Sequence, residues 1–268
     1  MKTVLTIAGS DCSGGAGIQA DLKTITSWGL YGESVITALT AQNTMGIADV
    51  LPVSPEFLEK QLTCVFTDIV PDAVKIGMVT GIEQMQVVRN CLRKYQARHI
   101  VIDTVMVSTS GRRLMESDAL KYYKENILPL ANVYTPNLPE AEVLLKTSIK
   151  TREERVAAVR EFALQYKGII YLKGGHDESC ADDLFFDGKE PVWFEAPHIV
   201  NSNTHGTGCT LSAAIACGLA MSLGARDSVR RAKQYVTGAI ADGMDLGKGN
   251  GPLNHMYRLK KLQRSFWE

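Results

Sequence analysis

Charge of one sign is missing from this sequence: 29 Lys and Arg residues balance 29 Asp and Glu residues. Nothing in that balance draws the whole chain to nucleic acid or to a membrane surface, so function is expected at a site. Long apolar runs are missing as well; none approaches the roughly 18 residues that a bilayer crossing needs. Met1-Lys2-Thr3 runs straight into a strand-like segment, without the charged and apolar regions of a signal peptide. The six cysteines (Cys12, Cys64, Cys91, Cys180, Cys209, Cys217) contain no C-x-x-C pair. That argues against a zinc cage or a disulfide framework and for free thiols in a reducing compartment, so a cytoplasmic protein is expected. There is no G-x-x-x-x-G-K-[ST], which excludes a P-loop. No linker, repeat or low-complexity stretch divides the chain, and one domain over residues 1–268 is expected.

What is present is an alternation of strand-like and helix-like segments. Short apolar runs at Val4–Ala8, Val35–Ala41, Ala73–Ile76, His99–Ile102, Asn132–Thr135 and Gly168–Leu172 have the length and composition of buried strands. Between them lie helical stretches at Ile18–Trp28, about Ile82–Tyr95, around Ser117–Asn126, Pro139–Lys146 and Arg152–Tyr166. Ser54-Pro55 supplies an N-cap followed by proline at the first helical position, and Gly29 closes the first helix. Ile47–Val53 reads as a further strand, and Asp182–Phe186 with Val192–Glu195 as a hairpin about Asp187-Gly188. Helices over Thr210–Leu223 and Asp227–Met244 close the chain. Such alternation predicts an α/β fold, a mainly parallel sheet covered on both faces.

In that architecture ligands bind beyond the carboxyl ends of the strands. Polar residues recur there: Asp11, Gln42, Asp103, Asn137 and Lys173, with Met78 and the loop Gly206–Cys209 at equivalent places. They are expected to converge on one rim. Gly15-Ala16-Gly17-Ile18-Gln19-Ala20 fits the dinucleotide fingerprint. The loop before it is longer than the tight turn required, however, and Gln42 stands where an acidic residue would hold a ribose.

Several of these residues have an ordinary reading beside a functional one. Asp21 is a solvated helix residue or a substrate ligand. Asp103, at the end of a buried strand, must be solvated, paired or bound to metal. Asn137 and Glu140 are three apart; they cap a helix, or they orient a hydrated Mg²⁺ and phosphates. Lys173 holds a phosphate charge or snorkels to solvent. His205 reads as a polar loop residue without a catalytic partner. Gly206-Thr207-Gly208 before an Ala- and Leu-rich helix is a natural anion site, built of bare N–H groups and the positive end of the helix dipole. Cys209 sits where that field would lower a thiol pKa from about 8.5 to roughly 3.5–7.5, so a thiolate base is expected at neutral pH.

Gly206-Thr207-Gly208-Cys209 resembles the anion-hole motif of the ribokinase-like small-molecule kinases, and Thr135-Pro136-Asn137-Leu138-Pro139-Glu140 resembles a second motif of that superfamily. Thr6 to Asp11 and Ser13 to Thr24 are similar to the opening of the hydroxymethylpyrimidine/phosphomethylpyrimidine kinases of thiamine biosynthesis. Further similar stretches are Ala38–Thr44, Lys75–Met78 and Lys173–His176. The resemblance runs from Met1 to about Gly251 and leaves no room for a fused partner enzyme. It implies a three-layer αβα sandwich, ATP and Mg²⁺, a small pyrimidine substrate and a homodimer. By the same resemblance, Gln42, Asp21, Met78 and Gly9 would bind the pyrimidine, with the Gln42 amide donating to a ring nitrogen and accepting from an amine. Asn137, Lys173, Thr207 and Lys233 would hold ATP, Asp103 and Glu140 the metal. Gly206, Thr207, Gly208 and Cys209 would carry catalysis, with Cys209 in place of an aspartate base. A pyridoxal kinase of the same subgroup is the competing reading; those kinases lack glutamine at the position of Gln42.

Overall fold

The computed structural model describes residues 1–106, 115–175, 181–196 and 198–259. His176 and Cys180 lie outside them. All nine strands among the described residues join one sheet: β1 (Thr3–Asp11), β2 (Tyr31–Asn43), β3 (Gly46–Pro52), β4 (Ala73–Ile76), β5 (Ile100–Ile102), β6 (Val133–Tyr134), β7 (Ile169–Leu172), β8 (Asp183–Phe186) and β9 (Val192–Phe194). Their spatial order is β3-β2-β1-β4-β5-β6-β7-β8-β9. From β2 to β7 every pairing is parallel. β3 runs antiparallel on one edge, and the β8–β9 hairpin does so on the other.

Residues of the central strands alternate between two cores, as the two-residue period of a strand requires. Leu5, Val74, Ile102 and Tyr134 face one layer, packed with α2 (Pro55–Phe66), α3 (Ile82–Lys94), α5 (Leu138–Leu145) and α6 (Arg152–Tyr166). Val4, Ala73, Val101, Val133 and Tyr171 face the other, packed with α1 (Gly17–Ser27), α7 (Thr207–Ala220) and α8 (Ala225–Asp242). The result is the expected αβα sandwich. α7 lies deepest, with every residue from Thr210 to Ala220 buried. That explains its Ala- and Gly-rich composition: a β-carbon on Gly218 would come within 2.6 Å of Ser228 on α8.

Local chemistry sets the ends of these elements. The Ser54 side chain accepts from Phe57 N–H with Pro55 in the first turn, and Gly29 adopts φ +74° after α1. α4 (Ser117–Tyr122) is shorter than its sequence pattern. It widens into a π-helical turn over Tyr123–Ile127 and tightens into a 3₁₀ turn at Leu128–Leu130, where Pro129 ends the run. α7 begins at Thr207 rather than Thr210, which places Cys209 inside its first turn.

Candidate active site

At the carboxyl ends of the parallel strands lies a cavity of about 700 Å³. Asp11, Gln42, Met78, Asp103, Asn137, Lys173 and Gly206–Cys209 all line it, so the rim foreseen from strand ends forms. Lys233 from α8 also reaches it, and the β2–β3 turn, residues 43–47, covers one side. Thr44 Oγ1 accepts from the N–H groups of Lys248 and Gly249, tying that turn to the C-terminal segment.

One end is built for an anion. Gly206 caps α7 with φ +85° and no side-chain hydrogen bond. A helix leaves its first N–H groups without intrahelical acceptors, so those of Gly208 and Cys209 face outward with the positive end of the dipole. Glycine is required at 206 because a β-carbon would collide with the Gly15 carbonyl. One at Gly208 would sit 3.2 Å from Asp103 Oδ2 and 3.4 Å from Lys173 Nζ, so this turn lies directly against that ion pair.

Lys173 Nζ donates to Asp103 Oδ1 at 2.9 Å, and Thr135 Oγ1 donates to the same oxygen at 3.1 Å. Burial alone would raise the Asp103 carboxyl; the charges of Lys173 and Lys75 outweigh it and keep the group below the usual range. Lys233 Nζ donates to Asp183 Oδ2 at 2.6 Å and to the Ala181 carbonyl. Asp183 also accepts from Tyr171 Oη at 2.6 Å and Gly174 N–H at 2.7 Å. Two cations and a helix terminus therefore line one cavity.

Both candidate metal ligands already have partners within the protein. Asp103 is committed to Lys173, and Glu140 closes a capping box: its Oε2 accepts from Asn137 N–H at 2.9 Å and from Thr104 Oγ1 at 3.0 Å, while Asn137 Oδ1 accepts from Glu140 N–H at 2.8 Å. Burial and then the nearby Asp103 charge shape Glu140, pushing its carboxyl upward despite Lys173. No cluster of three metal-ligating side chains exists among the described residues.

Two further expectations change. Asp21 does not line the cavity. It is fully buried beneath it, where Lys75 Nζ donates at 2.8 Å and Thr6 Oγ1 at 2.5 Å to its Oδ2. Burial raises the Asp21 carboxyl although the Lys75 charge and both hydrogen bonds oppose it, and the Asp21 charge raises Lys75 in turn. Cys209 is not a ready thiolate. Burial pushes its thiol up to about 11, and the Lys75 charge only partly opposes this. Desolvation, the largest influence here, outweighs the helix terminus from which a thiolate was expected.

The dinucleotide fingerprint is also spent internally. Asp11 Oδ2 accepts from Gly15 N–H at 3.1 Å and Ala16 N–H at 2.9 Å, while Oδ1 accepts from Ser13 N–H at 2.8 Å and Ser13 Oγ at 2.7 Å. Donors that a pyrophosphate would need are already bound. His205, expected as a plain loop residue, is buried, with Nε2 2.9 Å from Asp11 Oδ2 and 3.1 Å from the Gln42 side-chain amide. Gly9 makes room for Met78: a β-carbon there would lie 2.5 Å from Met78 Cε. Sequence reasoning missed Lys75, Asp183 and the His205–Asp11 contact. Lys75 had a signal, since a cation inside Ala73-Val74-Lys75-Ile76 must be paired.

The model of the phosphomethylpyrimidine kinase family matches residues 11–254. The chain belongs to that family. Among its relatives, the hydroxymethylpyrimidine/phosphomethylpyrimidine kinase of Rhizobium meliloti is 48% identical over 95% of this chain and 97% of its own length. The thiamine biosynthesis bifunctional protein ThiED of Geobacter sulfurreducens is 46% identical over 95% of this chain, which spans 52% of that longer protein. Among solved structures, phosphomethylpyrimidine kinase from Clostridium difficile 630 is 39% identical, with a TM-score of 0.81 over 90% of this chain and 100% of that one. An ADP complex of Bacillus subtilis pyridoxal kinase is 32% identical, with a TM-score of 0.88 over 96% and 98%. Its named relatives are kinases.

Proposed function

We propose that the chain transfers the γ-phosphoryl group of ATP to the hydroxymethyl oxygen of 4-amino-5-hydroxymethyl-2-methylpyrimidine, and then phosphorylates the monophosphate to the diphosphate for thiamine biosynthesis. The observation that carries this reading is the pairing of two ends in one cavity: the uncapped α7 terminus with Lys173, and the Gln42 amide with Met78. Phosphoryl transfer passes through a loose transition state, so positioning and charge stabilisation dominate. The N–H groups at Gly208 and Cys209, with Lys173, hold the moving phosphoryl oxygens, and Lys233 holds the nucleotide. Cys209, half-buried in the cavity wall, takes the hydroxyl proton once its thiol is ionised.

ATP fits these donors. Mg²⁺ is bound mainly through phosphates and one or two carboxylates, so the paucity of side-chain ligands suits a hydrated ion. Glu140 would hold it through water, and Mg²⁺ would supply neutralisation of phosphate charge. We infer a homodimer from the family resemblance, with the side-by-side exposed Leu39 and Leu51 on the β2–β3 edge as a candidate contact, and a cytoplasmic setting from the cysteine pattern. No helix of the described residues is long and apolar enough to cross a membrane.

A second reading, pyridoxal phosphorylation, is favoured by the structural likeness to pyridoxal kinases, including one from Staphylococcus aureus solved with AMP-PCP and pyridoxal (33% identical, TM-score 0.87). Gln42 favours the pyrimidine, because an amide matches a ring nitrogen beside an exocyclic amine. ADP release should be measured with the pyrimidine, its monophosphate and pyridoxal. The pyrimidine and its monophosphate should turn over faster than pyridoxal, and Gln42→Met should weaken pyrimidine use far more than ATP use. Equal losses for both would remove the substrate assignment.

A further inference from the structure

Resting on that substrate reading, we propose that His205, held by Asp11, is a positioning residue for specificity: it turns the Gln42 amide so that its oxygen faces the imidazole and its NH₂ faces Thr40. Burial would raise the Asp11 carboxyl, but hydrogen bonds from His205, Ser13 and Ala16 outweigh this and hold it well below the usual carboxylate range. An ionised oxygen 2.9 Å from His205 Nε2 demands a hydrogen on that nitrogen, whether the ring is neutral or charged. An unprotonated Nε2 would set lone pair against lone pair.

The same Nε2 lies 3.1 Å from one arm of the Gln42 amide, and Thr40 Oγ1 lies 3.1 Å from the other. With NH₂ toward the imidazole, two donors would face each other. The Thr40 hydroxyl would also need to donate twice, because it already donates to the Ser10 carbonyl at 3.0 Å. Turning the amide by half a rotation removes both conflicts. His205 Nε2–H then reaches the amide oxygen as well as Asp11, and Gln42 NH₂ donates to Thr40 Oγ1. The two arms of an amide are distinguished by such networks.

This leaves Gln42 with one N–H and one oxygen lone pair for a ligand, in a fixed left-to-right order. A free amide would offer either order and would accept a wider range of rings. The His205 ring is buried and packs against Gly15, where any β-carbon would collide with it. The order of donor and acceptor, rather than the mere presence of glutamine, is thus what selects the ring edge.

The test has two arms. Long-range ¹H–¹⁵N correlation of the intact enzyme should show hydrogen on His205 Nε2; an Nε2 without hydrogen overturns the inference whatever the substrate proves to be. In kinetics, His205→Ala should raise the pyrimidine KM about tenfold, the worth of one well-placed hydrogen bond, while the ATP KM stays within about twofold. His205→Gln, which can place an N–H near the lost one, should restore most of the loss. Thr40→Val should raise the pyrimidine KM alone, by about threefold. An unchanged pyrimidine KM in both the His205→Ala and Thr40→Val variants, or equal rises for pyrimidine and ATP, would overturn it. Absence of any pyrimidine turnover in the unmodified enzyme would instead end the substrate reading, and the NMR result would still decide where the hydrogen lies.

Discussion

Cys209 concentrates the opposition between two effects at one atom. The helix terminus and Lys75 favour a thiolate, and desolvation opposes one; desolvation wins, with the thiol pushed up to about 11. At pH 7 only on the order of 10⁻⁴ of such a thiol is ionised. If it accepts the substrate proton, kcat/KM should climb about tenfold per pH unit from pH 7 to 9, because that parameter reports the free enzyme. Cys209→Ala should flatten the climb and lower the rate by 10²–10⁴. A flat profile in the unmodified enzyme would leave catalysis to the N–H groups and Lys173 alone. At this scale the sequence named most residues that line the cavity, since strand ends point there. It misjudged their partners. Asp21 and Asp103 were open because a buried carboxylate's partner comes from a distant strand, Lys75 for one and Lys173 for the other.

Elements carry the next constraint, and α7 carries most of it. Its first turn must meet the β1–α1 loop closely enough that only glycine fits at position 206. Gly206→Ala combines a disfavoured positive φ with that collision, and should cost more than about 3 kcal/mol and most activity. Gly208→Ala should differ: its contacts at 3.2–3.4 Å allow a small shift of Lys173, so kcat falls while urea stability changes little. Beneath the same turn, α1 and β4 are joined by Asp21 and Lys75, both wholly buried. Lys75→Met strands a charged carboxylate and should destabilise by about 3–5 kcal/mol in urea unfolding. Adding Asp21→Asn should recover more than half of that, since the cost is the orphaned charge. Element types were legible because periodicity, caps and glycine stops agree. The start of α7 was not, because polar Thr207 and Gly208 carry no apolar period although they lie in its first turn.

For the whole molecule, the alternation of strands and helices foretold layers and a parallel centre but not strand order. That order depends on which strands find partners across the sheet. β3 pairs beside β2 as an antiparallel edge, so the β2–β3 turn is carried over the cavity mouth, and no local pattern announced that cover. The cavity joins both halves of the fold: β1, β2 and the β2–β3 turn on one side, β7 and α8 on the other. Ligands that bind only the folded state must then stabilise the whole sheet rather than one loop. At a hundred times its dissociation constant a ligand adds about 2.7 kcal/mol. For a chain of this size that is a rise in Tm of roughly 5–10 °C. A non-hydrolysable ATP analogue with Mg²⁺ and the pyrimidine should each produce such a rise in a thermal shift measurement. Lys233→Ala should reduce the nucleotide rise at fixed concentration and leave the pyrimidine rise intact, because Lys233 lies with Asp183 far from Gln42 in sequence and on the opposite side of the sheet order. Loss of both rises together would mean that the Lys233–Asp183 contact supports the fold and not the nucleotide.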